Sequence, residues 1–456
     1  MNQKTSDART AYDAGWHLSR YNLTAPIETS NDIIIVNLIK NTVGRYSVAE
    51  QFLLNSLEEM SEDHPAISYF ASQGIIANYD EYAYLESAGR AKTALSNTVH
   101  LTICPTMGCN FDCSYCYELH TVNRMSKSVQ DDVINLAERL LQASRAKEFN
   151  ITWFGGEPLL EIDIIRSMSE RLIQLSEKYG VTYESDMITN GYLLSEKNAS
   201  ILNDCKIHKL QITIDGLGET HDKTRHLAGG GSTFDKIIEN ISHKELPFQI
   251  TIRHNIHNGN KDEIDSLDNF IKEIAEKSGN KLRYYPYPVY GSETADSRGN
   301  QVELLSDKDS ADVSLRLYQF KNFSLTGHFC NASNIWSMAI DPDGNLMKCL
   351  ELMDDTSLAF GNANSWDPLR PLETATNPDG FTMYLKCAVP LDDEECSSCV
   401  WLPLCSGGCP RYRLFDKKAC LPFKNEPESY AKAIYESVRR DSNPRPPSST
   451  ALRGLR

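Results

Sequence analysis

Three cysteines stand close together in the chain, at Cys109, Cys113 and Cys116. They follow a β-like run that ends at Cys104. Three thiolates at this spacing bind a metal, but iron–sulfur clusters are usually held by four cysteines. A cluster with three protein ligands has one iron free to bind a small molecule. The alternative is a structural zinc site, with Cys104 or His120 as the fourth ligand.

The composition of the whole chain restricts where such a site can work. The chain has 456 residues and a net charge of −16, with 24% charged and 41% hydrophobic residues. The negative charge argues against general binding to nucleic acid or to an anionic membrane. Neither an apolar signal core at the N-terminus nor an apolar run of about 18 residues occurs, so we expect a cytoplasmic protein. In a reducing compartment, clustered cysteines indicate metal ligands rather than disulfides.

The first 95 residues predict a small α+β module of winged-helix type. Two β-like runs precede three helical patterns, and these five stretches lie at 17–23, 32–39, 48–60, 66–74 and 79–95. Such a module could capture a peptide by adding it as a strand to an exposed sheet edge. The alternative is a cap that only covers the next domain, and the sequence leaves both open.

From residue 96 to about 325 the pattern changes to alternating strands and helices. Strand-like runs lie at 99–104, 150–155, 183–189, 208–214, 248–256 and 281–289. Helical patterns between them lie at 129–144, 159–179, 195–204, 233–242 and 261–277. Six such units predict an α/β fold, a partial (β/α)6 barrel of the TIM type that is two units short of eight. In folds of this kind the chemistry takes place at the carboxyl ends of the strands.

Several distinctive residues fall at those strand ends. The second strand ends in Gly155, Gly156 and Glu157, the third in Asn190 and the fourth in Thr213. A glycine pair lets a backbone approach a ligand closely, and a glutamate could bind an ammonium group. Each feature alone is a weak signal, because two glycines after a strand are usually just a turn. Their convergence on one rim, together with the three cysteines, predicts a ligand site there.

A second cysteine-rich region extends over residues 326–425. It holds eight cysteines, namely Cys330, Cys349, Cys387, Cys396, Cys399, Cys405, Cys409 and Cys420. A hairpin turn is predicted at 341–344, between strands at 337–340 and 346–348. Residues 426–456 predict one helix, at 428–440, and a disordered tail. The remaining cysteines, Cys104 and Cys205, are interpreted as small apolar residues.

These motifs together resemble the radical S-adenosylmethionine (radical SAM) superfamily. The C-x3-C-x2-C motif after the first strand, Gly-Gly-Glu-Pro after the second and six barrel units carry the resemblance. The downstream cysteines resemble the seven-cysteine SPASM extension of one branch of this superfamily. The resemblance covers residues 98–425, and over the N-terminal module it is only a loose one to peptide-recognition elements of peptide-maturing members.

The resemblance implies a [4Fe–4S] cluster on Cys109, Cys113 and Cys116, with SAM bound to its fourth iron. It implies contacts to SAM from Tyr115, Gly155, Gly156, Glu157, Asn190, Thr213 and Arg225. Tyr115 would flank the adenine, the Gly155–Glu157 turn would receive the methionyl ammonium, and Arg253 competes with Arg225 for the carboxylate.

The SPASM pattern further implies two auxiliary [4Fe–4S] clusters, which makes three clusters in all. The nearer auxiliary cluster would be bound by Cys330, Cys349 and Cys409, with Cys387 inferred as its fourth ligand. The farther one would be bound by Cys396, Cys399, Cys405 and Cys420. If Cys387 does not bind, the nearer cluster has an open iron that could take a substrate thiolate.

The function expected from this resemblance is that of a peptide maturase. Cleavage of SAM to a 5′-deoxyadenosyl radical would be followed by hydrogen abstraction from a ribosomally made precursor peptide and formation of a thioether, carbon–carbon or ether cross-link. The expected partners are the leader segment of that peptide, bound by the N-terminal module, and an electron donor such as flavodoxin or ferredoxin.

Two other functions stay open. One is maturation of sulfatases by oxidation of Ser or Cys to formylglycine. Relatives of that type carry an aspartate base directly after the second SPASM cysteine, where this chain has Leu350 followed by Glu351. The other is a non-catalytic iron–sulfur or zinc scaffold, which would leave the glycine–glutamate rim without a purpose.

Overall fold

A computed structural model describes residues 15–290, 302–320, 330–387, 393–415 and 417–441 of the chain, without the side chains of 317–320, 387, 440 and 441. The predicted disordered tail therefore lies outside the described residues beyond 441. Within the described part, no helix is long and apolar enough to cross a membrane.

The N-terminal region contains two small antiparallel sheets and three helices. Its strands are β1 (His17–Leu18), β2 (Asn22–Pro26), β3 (Ile33–Asn37), β4 (Thr42–Tyr46) and β5 (Ile76–Ala77). Its helices are α1 (Val48–Asn55), α2 (Pro65–Ser72) and α3 (Glu81–Ala94). Strands β2, β3 and β4 form one sheet in that order, and β1 pairs with β5. The sequence analysis did not predict strand β4, because Gly44 and Arg45 interrupt its alternation of apolar and polar residues.

The central sheet confirms the predicted partial barrel. Six strands pair in parallel and in chain order, namely β6 (Thr98–Ile103), β7 (Glu148–Trp153), β8 (Thr182–Thr189), β9 (Ile207–Thr213), β10 (Gln249–Ile256) and β11 (Lys281–Pro288). The helices between them are α4 (Lys127–Ala143), α5 (Ile162–Tyr179), α6 (Glu196–Asp204), α7 (Glu219–Thr224), α8 (Phe234–Ile241) and α9 (Ile264–Ser278). Parallel pairing, with Ile103 opposite Trp153 in the first pair and one register shift at Ser185–Asp186 between β8 and β9, brings all six carboxyl ends to one rim.

Helix α5 illustrates why these segments fold as they do. Its buried residues include Ile165, Met168, Leu172 and Leu175, a spacing of three and four that places them on one face. The helix ends at Gly180, whose left-handed backbone (φ 65°) provides the C-cap. Complete burial of such side chains contributes about 1.5–3 kcal/mol each, before the entropy of ordering the chain is counted.

The C-terminal region extends the central sheet. Strand β12 (Ser337–Ile340) pairs in parallel with β6, and β13 (Asn345–Met347) and β14 (Gly361–Asn362) follow in antiparallel order. The predicted hairpin is therefore present, and its turn is closed by Asp341, whose Oδ1 accepts from the backbone of Asp343 and Asn345. The remaining helices are α10 (Asp307–Phe320), α11 (Pro378–Cys387), α12 (Glu394–Ser397), α13 (Leu402–Cys405), α14 (Pro410–Leu414) and α15 (Pro427–Asp441).

One face of the N-terminal sheet packs against the C-terminal region, an arrangement that sequence reasoning did not predict. Leu23, Val36 and Leu38 lie in one buried cluster with residues of the cysteine-rich region and of α15: Trp401, Phe423, Tyr430, Ala431 and Ile434. We call this cluster the shared core. The opposite face of the sheet, through Ile35 and Tyr46, packs against α1 and α2.

Candidate active site

The three clustered cysteines lie on a loop, residues 109–116, which we call the cysteine loop. It follows β6 and pairs with the segment 224–228, which follows α7. The amides of Asp112 and Ser114 donate to the carbonyls of His226 and Thr224, each at 3.0 Å, and the amide of Ala228 donates to the carbonyl of Asn110 at 2.9 Å. This pairing brings Arg225 beside the loop, although more than 100 residues separate them.

The thiols of the cysteine loop sit in an environment that disfavours free thiolates. Burial raises the pKa of Cys109, and the charges of Glu157, Cys113 and Cys116 raise it further. Burial also raises the pKa of Cys113, while the guanidinium of Arg225 opposes that effect. Thiolates gathered here need a cationic group bound among them. The donor set therefore fits a metal or an iron–sulfur cluster.

The two alternative fourth ligands differ in their placement. Cys104 is fully buried, and its thiol donates to the carbonyl of Thr106 at 3.1 Å, within its own loop. His120 lies closer to the site, with its Nε2 3.2 Å from the Sγ of Cys116. Together with Glu118, these two residues place one ligand atom each within 4.8 Å of one another. A zinc site would thus use His120 rather than Cys104.

Gly155 and Gly156 pack against the backbone that leads into the cysteine loop. A Cβ at Gly155, where φ is +127°, would collide with the carbonyl oxygen of Thr106, and a Cβ at Gly156 with those of Met107 and Gly108. The amide of Gly156 also donates to the carbonyl of Thr106 at 3.2 Å. The glycine pair therefore lets the loop after β7 approach the loop after β6 closely. It also leaves room for a ligand to approach the backbone there.

Glu157 connects the second and third strand ends. Its side chain is fully buried and accepts from the amide of Leu159 at 2.9 Å, the hydroxyl of Thr189 at 2.7 Å and the amide of Asn190 at 2.7 Å. Burial raises its pKa, and the amide of Asn190 opposes that effect. The Asn190 side chain in turn donates to Asn110 in the cysteine loop at 2.7 Å.

A buried hydrogen-bond network surrounds Tyr115. Its hydroxyl donates to Asp215 and accepts from Arg225 at 2.7 Å and from Asn255 at 2.9 Å. The other oxygen of Asp215 accepts from the amide of Asn255 at 3.0 Å. Arg225 retains a buried Nε that has no partner among the described residues. Sequence reasoning missed Asn255, because nothing in its local pattern distinguishes it from other strand residues.

The other two predicted SAM contacts are less distinctive. Thr213 is buried at the end of β9, on the same rim. Arg253 donates through Nε to Asn255 at 2.7 Å, and its guanidinium lies 4.1 Å from the ring centroid of Tyr287. Arg225 is thus the arginine that contacts the tyrosine of the cysteine loop.

Three downstream cysteines form what we call the nearer group, Cys330, Cys349 and Cys409. Burial raises the pKa of Cys349 to about 12, and the charges of Glu351, Cys330 and Cys409 add to that effect. That these three cysteines bind one cluster stays a prediction from the sequence. Cys387 is the last residue of α11, and its side chain lies outside the described part of the structure.

Four further cysteines, which we call the farther group, line one cavity: Cys396, Cys399, Cys405 and Cys420. Burial raises the pKa of Cys405 to about 11, and the thiols of Cys420, Cys396 and Cys399 add to that effect. Two cations, Arg413 and Lys424, line the same cavity. Four thiols around one cavity, with positive charge beside them, fit a [4Fe–4S] cluster.

Comparison with known proteins agrees with this geometry. Residues 103–271 match the Radical SAM superfamily. The chain is 25% identical over 339 residues to a cysteine-type anaerobic sulfatase-maturating enzyme of Clostridium novyi (strain NT), a match that covers 66% of this chain and 85% of the relative.

Two solved structures share the fold at lower identity. Native anSMEcpe with bound AdoMet and Kp18Cys peptide is 20% identical with a TM-score of 0.58, covering 75% of this chain and 99% of that one. Streptococcus suis SuiB bound to S-adenosylmethionine is 16% identical with a TM-score of 0.51, covering 88% of this chain and 97% of that one. The likeness to SuiB thus extends over more of this chain.

Proposed function

We propose that this chain, of which residues 103–271 match the Radical SAM superfamily, is a peptide maturase that installs a cross-link in a ribosomally made precursor peptide. The observation that carries the proposal is the placement of the cysteine loop beside the strand-end rim, with a downstream cavity that four further cysteines line. The substrate is a peptide carbon–hydrogen bond, and the product is a thioether, a carbon–carbon or an ether bridge.

The cysteine loop would hold the first [4Fe–4S] cluster through Cys109, Cys113 and Cys116. When bound, this cluster supplies the electron that splits SAM into methionine and the 5′-deoxyadenosyl radical, which takes a hydrogen atom from the substrate. The remaining chemistry is binding and orientation by the chain's own residues, as is usual for cofactor enzymes.

Two charged residues are suited to bind the methionyl part of SAM. A carboxylate offers about four acceptor sites, and Glu157 uses three, so one remains for an ammonium group. The unpartnered Nε of Arg225 could donate to a carboxylate, which would give a charge-assisted hydrogen bond. Asp215 and Tyr115 hold that guanidinium in place.

A cross-linking reaction needs an electron acceptor besides SAM. Joining two atoms that each lose a hydrogen is a two-electron oxidation, and hydrogen abstraction accounts for one electron. The nearer and farther groups would hold redox centres able to accept the second electron. A formylglycine-forming oxidation has the same need, so this feature does not separate the two functions.

The N-terminal module favours a peptide maturase over a sulfatase-maturing enzyme. The solved structure of anSMEcpe covers 75% of this chain, whereas that of SuiB covers 88%. A sulfatase-maturing enzyme has no evident use for this module, while a maturase could bind a leader segment at the edge strand β4. The 25% identity to a sulfatase-maturating enzyme keeps formylglycine formation as the second candidate.

The decisive experiment starts from anaerobically purified protein with reductant and SAM. We expect 5′-deoxyadenosine, and we expect Cys113→Ala to abolish it while the matched control Cys205→Ala, a buried cysteine outside the site, leaves it unchanged. A peptide encoded beside this gene should lose two hydrogens per cross-link, as measured by mass spectrometry. Formylglycine in a sulfatase-derived peptide would instead support the second candidate, and zinc without 5′-deoxyadenosine would support a scaffold.

A further inference from the structure

Arg413 makes the shortest contact between a cation and a thiol in the farther group. Its Nη2 donates to the Sγ of Cys396 at 2.8 Å. Lys424 approaches Cys420 only to 3.9 Å, and it pairs more closely with Glu395, at 2.5 Å. The positive charge nearest to a cysteine sulfur in this cavity is therefore the guanidinium.

The guanidinium is fixed by partners on all three of its nitrogens. Nε donates to the carbonyl of Gly407, and Nη1 lies 3.4 Å from the carboxylate of Asp393. Asp393 also caps the short helix α12 by accepting from the amide of Cys396 at 3.1 Å. Because the fork of an arginine is planar and rigid, these contacts aim Nη2 at one sulfur, which a lysine ammonium could not reproduce.

The arginine is also shielded from solvent, so water screens its interaction with the cysteine sulfur only weakly. Its side chain is 11% exposed, compared with 39% for Lys418, which pairs with the same Asp393. Both residues carry one positive charge beside the farther group. Of the two, Arg413 contacts a cysteine sulfur, whereas the contacts of Lys418 in the described part of the chain are to the carboxylates of Asp393 and Glu395.

We propose that Arg413 is a positioning residue that raises the reduction potential of a cluster bound by Cys396, Cys399, Cys405 and Cys420. The inference rests on the proposed function, which supplies the cluster. Taking up one electron makes the cluster more negative, and a hydrogen bond and a positive charge at a ligand sulfur stabilise that reduced form. Arg413 would thereby make this cluster a better electron acceptor than the same four cysteines would make it alone.

The test is a redox titration of the full chain with dithionite, followed by electron paramagnetic resonance. The signal that disappears in Cys405→Ser identifies the farther cluster. Arg413→Gln should lower the equilibrium constant for its reduction at least tenfold, a shift of about 59 mV for one electron. The matched control, Lys418→Gln, removes one charge from the same neighbourhood without touching a sulfur and should shift it much less.

The outcomes separate this inference from the proposed function. About twelve irons in the wild-type protein would support three clusters, and a smaller number would contradict the proposed function whatever the arginine does. An unchanged potential in Arg413→Gln, or an equal shift in Lys418→Gln, would overturn the role of Arg413. If Arg413→Gln binds less iron, Arg413→Lys serves instead. This variant keeps the positive charge but loses the planar guanidinium that aims a hydrogen bond at Cys396. A wild-type reduction potential in Arg413→Lys would therefore also overturn the proposal.

Discussion

Single residues at the strand ends hold the cysteine loop through close packing and hydrogen bonds to its backbone. The glycine pair after β7 lets two loops approach to van der Waals contact, and Glu157 ties the next strand end to them. The types of these residues were evident from the sequence. Their partners were not, because a pattern of residues contains no information on which loop faces which.

The first prediction concerns Gly156. In Gly156→Ala, the added methyl group would overlap the carbonyl oxygens of Met107 and Gly108 and push the cysteine loop away. Overpacking of this kind costs about 1–3 kcal/mol. We expect the variant to lose about four irons per chain, since the first cluster would no longer be held. Iron and sulfide analysis after anaerobic reconstitution measures the effect.

A matched control is available in the same neighbourhood. Gly229 has no atom within 4 Å of an added Cβ, and it lies next to the segment that pairs with the cysteine loop. Gly229→Ala should therefore bind as much iron as the wild-type protein. Equal iron content in both variants would show that the close approach at Gly156 has no role in cluster binding.

The second prediction concerns His100 in β6. Burial, together with a smaller effect of the charge of Lys348, lowers the pKa of His100 to about 4. In the unfolded chain His100 has its ordinary pKa of about 6.5 and binds a proton below that pH. In the folded chain it stays neutral down to about pH 4. The free energy of unfolding therefore falls as the pH falls from about 6.5 toward 4.

His100→Gln removes this titration. Between pH 7.5 and 5.5 the wild-type protein should lose roughly 1 kcal/mol more free energy of unfolding than the variant. Urea denaturation at the two pH values measures the difference, and any acid sensitivity common to both proteins cancels. An identical loss in both would mean that His100 is protonated in the folded state.

At the scale of whole elements, regular segments were predictable and long-range pairings were not. The six barrel strands follow from apolar runs with helices between them, and the C-terminal hairpin follows from its turn residues. Strand β4 and helix α7 carry no such periodicity, since Gly44 and the polar sequence of 219–224 conceal them. The pairing of the cysteine loop with 224–228 depends on tertiary contacts alone.

The third prediction concerns helix α15 in the shared core. The Tyr430 ring is buried and stacks on Phe423, with centroids 5.1 Å apart, and meets Trp401 edge to face at the same distance. Tyr430→Ala should cost about 3–5 kcal/mol, in line with other buried aromatic truncations. Thermal unfolding measures this. Lys432→Ala on the same helix, which loses only an ion pair to Glu28, should have little effect.

At the scale of the molecule, the shared core connects cluster binding with the N-terminal module. Trp401, which belongs to this core, lies in the chain between two cysteines of the farther group, Cys399 and Cys405, and it also lines their cavity. A group that binds only the folded chain stabilises everything that folds with its site. We therefore expect the N-terminal module, which is proposed to bind a leader segment, to be stably folded only when a cluster is bound by the farther group.

The fourth prediction follows from this connection. Cys405→Ser should make the N-terminal sheet more sensitive to limited proteolysis, with cleavage between β2 and β3 at 27–32. Cys109→Ser, which empties the first site instead, should leave that loop as resistant as in the wild-type protein. Cleavage rates that are equal in both variants would mean that the module and the farther group are energetically independent.

The shared core also dictates an order of events at the ribosome. The sheet residue Val36 lies in the same buried cluster as Tyr430, and about 390 residues separate them in the chain. At a synthesis rate of about 5–20 residues per second, the apolar face of the N-terminal sheet stays uncovered for roughly 20–80 s. The nascent chain therefore presents an aggregation-prone surface until α15 has emerged, and its yield should depend on chaperones that bind such surfaces during translation.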